Sequence, residues 1–170
     1  MFFARRRFLA LAALLTLLIA VPQGAAAKGL VPFHATTVET VVVVPCDPNF
    51  LCISNTGSGH ATHLGKISES ANFAIDLVTV PAPGCENGTG TMTLTGANGD
   101  SISLSLSGIV CQTSPTHGHA VNSYVVTGGT GRFSGATGSG TETVDVDLTD
   151  PANPIPVIVF DGTLSTPGSL

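Results

Sequence analysis

Two segments of this chain, Thr89 to Thr95 and Ser101 to Ser107, place a threonine or serine at every second position and glycine or an apolar residue between them. Successive side chains of a strand point to opposite faces. The alternation therefore puts Met92, Leu94, Ile102, Leu104 and Leu106 on one face and hydroxyls on the other. The register follows from the same parity, because a one-residue slip would turn every apolar side chain to the wrong face. The intervening Ala97-Asn98-Gly99 fits a three-residue hairpin turn with Gly99 in the left-handed position, closing Gly96 against Asp100. Leu94 then faces Ile102, Met92 faces Leu104, and Cys85 falls opposite Cys111.

That last pairing bears on the compartment. Arg5, Arg6 and Arg7 precede an apolar run from Phe8 to Val21 broken only by Thr16, and Ala25-Ala26-Ala27 follows. A basic head, a short apolar core and small residues at the end form a secretory signal peptide over residues 1–27, too short and wrongly flanked for a membrane span. Arg5-Arg6-Arg7-Phe8-Leu9 resembles a twin-arginine signal, but the flanking Ser and Lys of that pattern are missing, which favours the general secretory route. No Cys follows the small residues, so no lipid anchor is expected, and the mature domain is 28–170, secreted or periplasmic. An exported chain with four cysteines is expected to be oxidised. The register selects Cys85–Cys111, leaving Cys46–Cys52 to close the loop around Asp47 to Leu51. Thiolate metal ligation is the rival reading, but no Cys-x-x-Cys spacing supports it.

Further strands are expected at Thr36 to Val44, His60 to Ser68, Asn72 to Val80, Val121 to Thr127, Phe133 to Leu148 and Val157 to Ser165, with a Ser68-Glu69-Ser70 turn between the second and third. About eight strands and no convincing helix describe an all-β domain. A closed antiparallel barrel suits that count, and a two-sheet sandwich is the alternative. In the mature domain Lys28, Lys66 and Arg132 stand against the 11 carboxylates, a net charge of −8 with histidine neutral. Such a surface repels phosphate backbones, and with no Trp and one Tyr it has little to stack bases on, which excludes nucleic-acid binding.

The run Gly128-Gly129-Thr130-Gly131-Arg132-Phe133-Ser134-Gly135-Ala136-Thr137-Gly138 resembles the signature turn of the dirigent and allene oxide cyclase-like barrels. Gly59-His60-Ala61-Thr62-His63-Leu64-Gly65 and Phe160-Asp161-Gly162-Thr163-Leu164-Ser165 are similar to segments of small exported bacterial members of that group. The resemblance implies eight antiparallel strands around an apolar cavity, used in the family to orient radical coupling or to fold an unsaturated epoxide for ring closure. It also implies self-association through the outer wall, although no apolar outer stripe is visible. The matched residues are mostly glycines, which specify backbone: Gly131 for positive φ, Gly135 and Gly138 for a bend or a close strand approach. Arg132 belongs to that turn and is read as structural.

Glu142 is the carboxylate of interest. It shares parity with Gly138, Gly140, Val144 and Val146, while Thr141, Thr143, Asp145 and Asp147 occupy the other face. Near an apolar cavity its pKa would rise, fitting it to hold a proton or orient a polar ligand group. A bulge at Gly140 would instead turn it outward. His117 and His119 share a face of any extended segment, but zinc needs three or four ligands, and a solvated loop is the expected state. His60 and His63 would point apart, and His34 lies near the start of the mature chain. No Gly-x-Ser-x-Gly elbow, phosphate loop or dinucleotide fingerprint is present, and no cofactor or metal is expected.

The expected function is the binding of a small apolar molecule in the barrel, by Glu142, Met92, Leu94, Leu104 and Val144. The thin filling at Ala136, Gly138 and Gly140 marks the expected end for the pocket. An isomerase or cyclase using the same cavity, and a solid structural or adhesive envelope protein, are the alternatives.

Overall fold

The computed structural model describes residues 29–165, so the expected signal peptide at 1–27 lies outside the described residues. Eight strands run in chain order: β1 (Leu30–Val44), β2 (Phe50–Ala61), β3 (Gly65–Asp76), β4 (Cys85–Gly96), β5 (Ser101–Ser114), β6 (His117–Gly129), β7 (Gly138–Asp147) and β8 (Ile155–Ser165). Each pairs antiparallel with the next, and β8 returns to pair with β1, closing the barrel. Closure removes the exposed edges that a sandwich would leave.

The hairpin deduced from parity is present. Gly96 and Asp100 close the turn through a 2.8 Å bond from the Gly96 N–H to the Asp100 carbonyl, and Gly99 sits at φ 86°. Leu94 opposes Ile102, Met92 opposes Leu104 and Cys85 opposes Cys111, to which it is bonded. Cys46 and Cys52 form the second disulfide at the β1–β2 turn. Two disulfides fit an oxidising compartment outside the cytoplasm. The Cys85→Ala variant is expected to lose about 2–5 kcal/mol in a chemical denaturation curve. Identical melting of oxidised and reduced wild type would count against that expectation.

Five stretches differ from the sequence expectation. Phe50–Ala61 forms β2, where no strand was expected before His60, because its inward row carries Leu51, Ile53 and Asn55 while polar and glycine residues elsewhere hide the alternation. The strands expected at His60 to Ser68 and Asn72 to Val80 both run into the one strand β3. Ser68-Glu69-Ser70 is not a turn but the middle of β3, because Glu69 points inward in step with Ile67 and Ala71. The turn lies instead at 62–64, where His63 takes φ 68° and its ring meets the Pro32 carbonyl at 3.0 Å. Strand β3 stops at Asp76 rather than Val80, because the Asp76 carboxylate accepts the N–H groups of Val78 and Thr79 at 2.8 and 3.1 Å. Nor does a strand begin at Phe133. Gly131 (φ 56°) opens a single 3₁₀ turn, Gly131–Phe133, that drops the Phe133 ring into the barrel end, and β7 starts only at Gly138. Arg132 is structural as expected: its Nε donates to Asp100 Oδ2 at 2.7 Å, tying this turn to the β4–β5 hairpin.

The core fills one half of the barrel. Phe33, Leu64, Ile67, Leu94, Ile102, Leu104, Val126, Phe133 and Leu164 pack that end to near-zero exposure. Above them Tyr124 lies edge-on to Phe33 and Phe160, with ring centroids 6.4 and 6.0 Å away. The outer wall is apolar where a plain stripe was not expected. Val38 of β1 opposes Val157 of β8, and Val159 follows, all about half exposed. Both faces of β1 and β8 carry β-branched residues, so parity alone gives no polar side to read.

Candidate functional site

The other half of the barrel is open. A cavity of about 260 Å³ enters between Val43 and Leu51 at the mouth and descends along Val41, Ile53, Phe73, Ile75, Leu106, Val110, Val144, Val146 and Ile158. These walls are apolar because strand parity brings one aliphatic or aromatic residue inward every second position. The floor is different. Glu39, Asn55, Asn122 and Glu142 meet there, beside Ala71, Met92 and Ala120.

Each floor residue is placed by register. Asn122 of β6 opposes Glu142 of β7, in a ladder that runs from His117–Asp147 to Val125–Ser139 without a shift. The bulge that would have turned Glu142 outward is therefore absent from this ladder. Glu142 is 2% exposed, and its Oε2 accepts the Asn122 Nδ2–H at 2.6 Å. Across the barrel, Glu39 Oε2 accepts from Asn55 Nδ2 at 2.8 Å. Gly57, opposite Glu39, makes the room: a methyl there would stand 3.0 Å from Glu39 Cγ and 2.8 Å from the Val38 carbonyl. Glu69 joins the same interior through its pairing with Gly57 and Leu94, without lining the cavity.

Burial pushes the Glu142 carboxyl up to about 7; the Asn122 hydrogen bond offsets part of the rise, and the nearby Glu69 charge adds to it. Burial also raises Glu69, and the adjacent Thr37 hydroxyl lowers it slightly without meeting hydrogen-bond geometry. The interior thus holds a proton near neutrality, which an exposed carboxylate would have given up.

Three of the expected binding residues line the cavity: Glu142, Met92 and Val144. Leu94 and Leu104 do not. They belong to the filled half, at 0% and 1% exposure. The expected pocket at Ala136, Gly138 and Gly140 is likewise displaced to the opposite end. The glycine gap is occupied by Tyr124, whose Oη would lie 2.6 Å from a methyl on Gly140 and would also strike one on Gly162. Its hydroxyl is pushed up to about 12 by burial, with the Asp161 charge adding to the rise. Gly138 permits a backbone approach to Thr163 rather than a void.

Reading the sequence for a pocket missed Glu39, Glu69, Asn55, Asn122 and Tyr124. Parity carried the signal for Glu39, in step with Phe33 and Ala35, and for Asn122, in step with Ala120 and Val126.

The histidines stay outside. His117 and His119 lie in β6 rather than a loop, on its outer face, and bracket Asp145 at 3.6 and 2.9 Å. The His119 hydrogen bond holds the Asp145 carboxyl below its usual range. His34 sits in β1, 3.3 Å from Asp161. Among the described residues no group of three or more His, Cys, Asp or Glu is arranged to hold a metal ion.

No protein-family model matches the chain, and no curated protein matches it. Among solved structures, the barrel is similar to the pterocarpan synthase dirigent protein GePTS1, with a TM-score of 0.55 over 85% of this chain and 94% of that one. The fold is dirigent-like. At 15% sequence identity the likeness carries the fold and not the reaction.

Proposed function

We propose that this dirigent-like protein is exported and binds a small, mostly apolar molecule in its open half, with the polar end of that molecule on the Glu39–Asn55–Asn122–Glu142 floor. The observation that carries this reading is the cavity itself: apolar walls around a few convergent polar groups, one with a displaced pKa, is the usual composition of a ligand site. The disulfides support export. The glycine segments at 59–65, 128–140 and 160–165 support a place among the small exported bacterial members of the allene oxide cyclase-like group. A solid structural barrel would need a filled interior, and about 260 Å³ of open space favours binding over that alternative.

A second reading rests on Glu142. A buried carboxyl poised near pH 7 suits an acid or base, and an isomerase or cyclase would use the same cavity to fold its substrate. GePTS1 is named as a synthase, which supports keeping catalysis beside binding.

The test is titration with the uncharged fluorophore phenylnaphthylamine. Wild type is expected to show one saturable site, and Val144→Trp, which fills the cavity wall, is expected to lose it while keeping its far-ultraviolet spectrum. No saturable site in wild type, or equal binding by folded Val144→Trp, would sink the reading.

A further inference from the structure

The cavity floor is built from acceptors. Each amide spends one of its two N–H donors on a carboxylate: Asn122 on Glu142 and Asn55 on Glu39. The floor atoms with no hydrogen-bond partner at all are acceptors: Glu39 Oε1, Asn55 Oδ1 and Asn122 Oδ1, all buried and all on residues that line the cavity. Both oxygens of Glu69 lack partners as well. Glu39 and Asn122 are only 4% and 3% exposed. Carbonyl and ionised carboxylate oxygens accept and do not donate, and a buried acceptor left unpaired is destabilising.

Among the described residues no Lys, Arg or His lines the cavity to supply the missing donors or the opposite charge. Lys66 and Arg132, the Lys and Arg of the described residues, are both exposed. A ligand that pairs with these orphaned acceptors must bring donors itself. A carboxylate brings none and adds repulsion. A hydroxyl brings one. A primary ammonium brings three, together with the countercharge.

We propose that the cavity takes an organic cation: a compact apolar body carrying a primary ammonium, with the nitrogen between Glu39 and Glu142 and the carbon skeleton against the aliphatic walls. This rests on the binding reading and adds the chemical class of the ligand. Among the described residues the titratable groups of the barrel interior around Glu142 are all acids: Glu39 of β1, which lines the same cavity, Glu69 of β3, whose charge acts on Glu142, and the neutral Tyr124 phenol of β6. Glu86 of β4 shares the parity of the inward-facing Met92. The empty floor tolerates its crowding by keeping a proton on Glu142. An ammonium that displaces that proton therefore binds better as pH rises through about 7, and its uptake releases protons to the buffer.

The probes are phenethylamine, phenethyl alcohol and phenylacetate, which share a ring and differ at the head group. They would be titrated calorimetrically into disulfide-intact protein at pH 8 and pH 5. The amine is expected to bind about tenfold or more tighter than the alcohol at pH 8, a difference of about 1.4 kcal/mol. Phenylacetate is expected not to bind. Lowering the pH to 5 should weaken the amine by a similar factor and leave the alcohol unchanged. Two buffers of different ionisation enthalpy should reveal proton release at pH 7, and Glu142→Gln should remove the release and reduce the amine preference, leaving Glu39 as the one carboxylate at the nitrogen. Equal binding of amine and alcohol, or an amine affinity indifferent to pH, would overturn the cation assignment. If phenylnaphthylamine still binds in that case, the cavity reading stands and only the ligand class fails. If nothing binds, both fail together.

Discussion

Phe160→Ala is expected to destabilise the barrel by about 3–5 kcal/mol, the usual cost of removing a fully buried ring. The side chain is 0% exposed and stands at the boundary between the packed and open halves. It opposes Glu142 on one side and Ala35 on the other, and it supports the Tyr124 ring edge-on at 6.0 Å. Removing it therefore leaves a hole under the cavity floor that rigid strands close only in part. Tyr124, wedged between Gly140 and Gly162, cannot swing far to fill it. A domain of this size has about 5–15 kcal/mol in total, so the variant should lie near the limit of folding. Val159→Ala is the matched control. One residue away, it lies on the outer face and is 47% exposed, and its cost should stay within about 0.5 kcal/mol. Urea denaturation of both variants measures the contrast. Equal costs would mean that β8 does not present the face described.

That contrast also shows how much could be read from the chain alone. The β4–β5 hairpin was legible because hydroxyl and apolar residues alternate there without exception, so parity fixed faces, register and the Cys85–Cys111 bond together. In β8 the same rule had no purchase: Ile155, Val157 and Val159 face out while Pro156, Ile158 and Phe160 face in, and all are apolar. The floor was half legible for a related reason. Glu142 stood out because its strand alternates with exposed Thr and Asp. Glu69 sat between two serines, and that tripeptide looks like a turn unless the strand containing it is already known. Glu39 and Asn122 had the right parity, but a single polar residue in a strand says nothing of what it meets across a barrel. The end chosen for the pocket was wrong because glycines in sequence show where side chains are missing, and not whether Tyr124 arrives from a neighbouring strand to fill the gap.

The buried carboxyls should make the empty barrel weaken as the solution turns alkaline. Glu142 has an ordinary pKa of 4.5 when exposed and is held up to about 7 in the fold, with burial as the main cause. Between those values the folded chain keeps a proton that the unfolded chain has lost, so stability falls as pH rises through that window. The full contribution is present below about pH 4.5, and about 3 kcal/mol is gone above pH 7. Glu69 is shifted in the same direction for the same cause and adds to the trend. Glu142→Gln keeps the size of the side chain and an oxygen to accept from Asn122, but it has no charge to bury. The variant is expected to match wild type near pH 4.5 and to exceed it by about 3 kcal/mol at pH 8. Urea midpoints across that range measure the gap. Taking the difference between the two proteins cancels the titration of groups common to both, surface histidines included. A gap that stays constant with pH would show that Glu142 carries no proton of its own in the fold. A gap that closes when phenethylamine is added at pH 8 would join stability to binding. A cation that pairs with the ionised floor stabilises the wild-type barrel by mass action, and the glutamine variant, left with Glu39 alone on that floor, gains less from it.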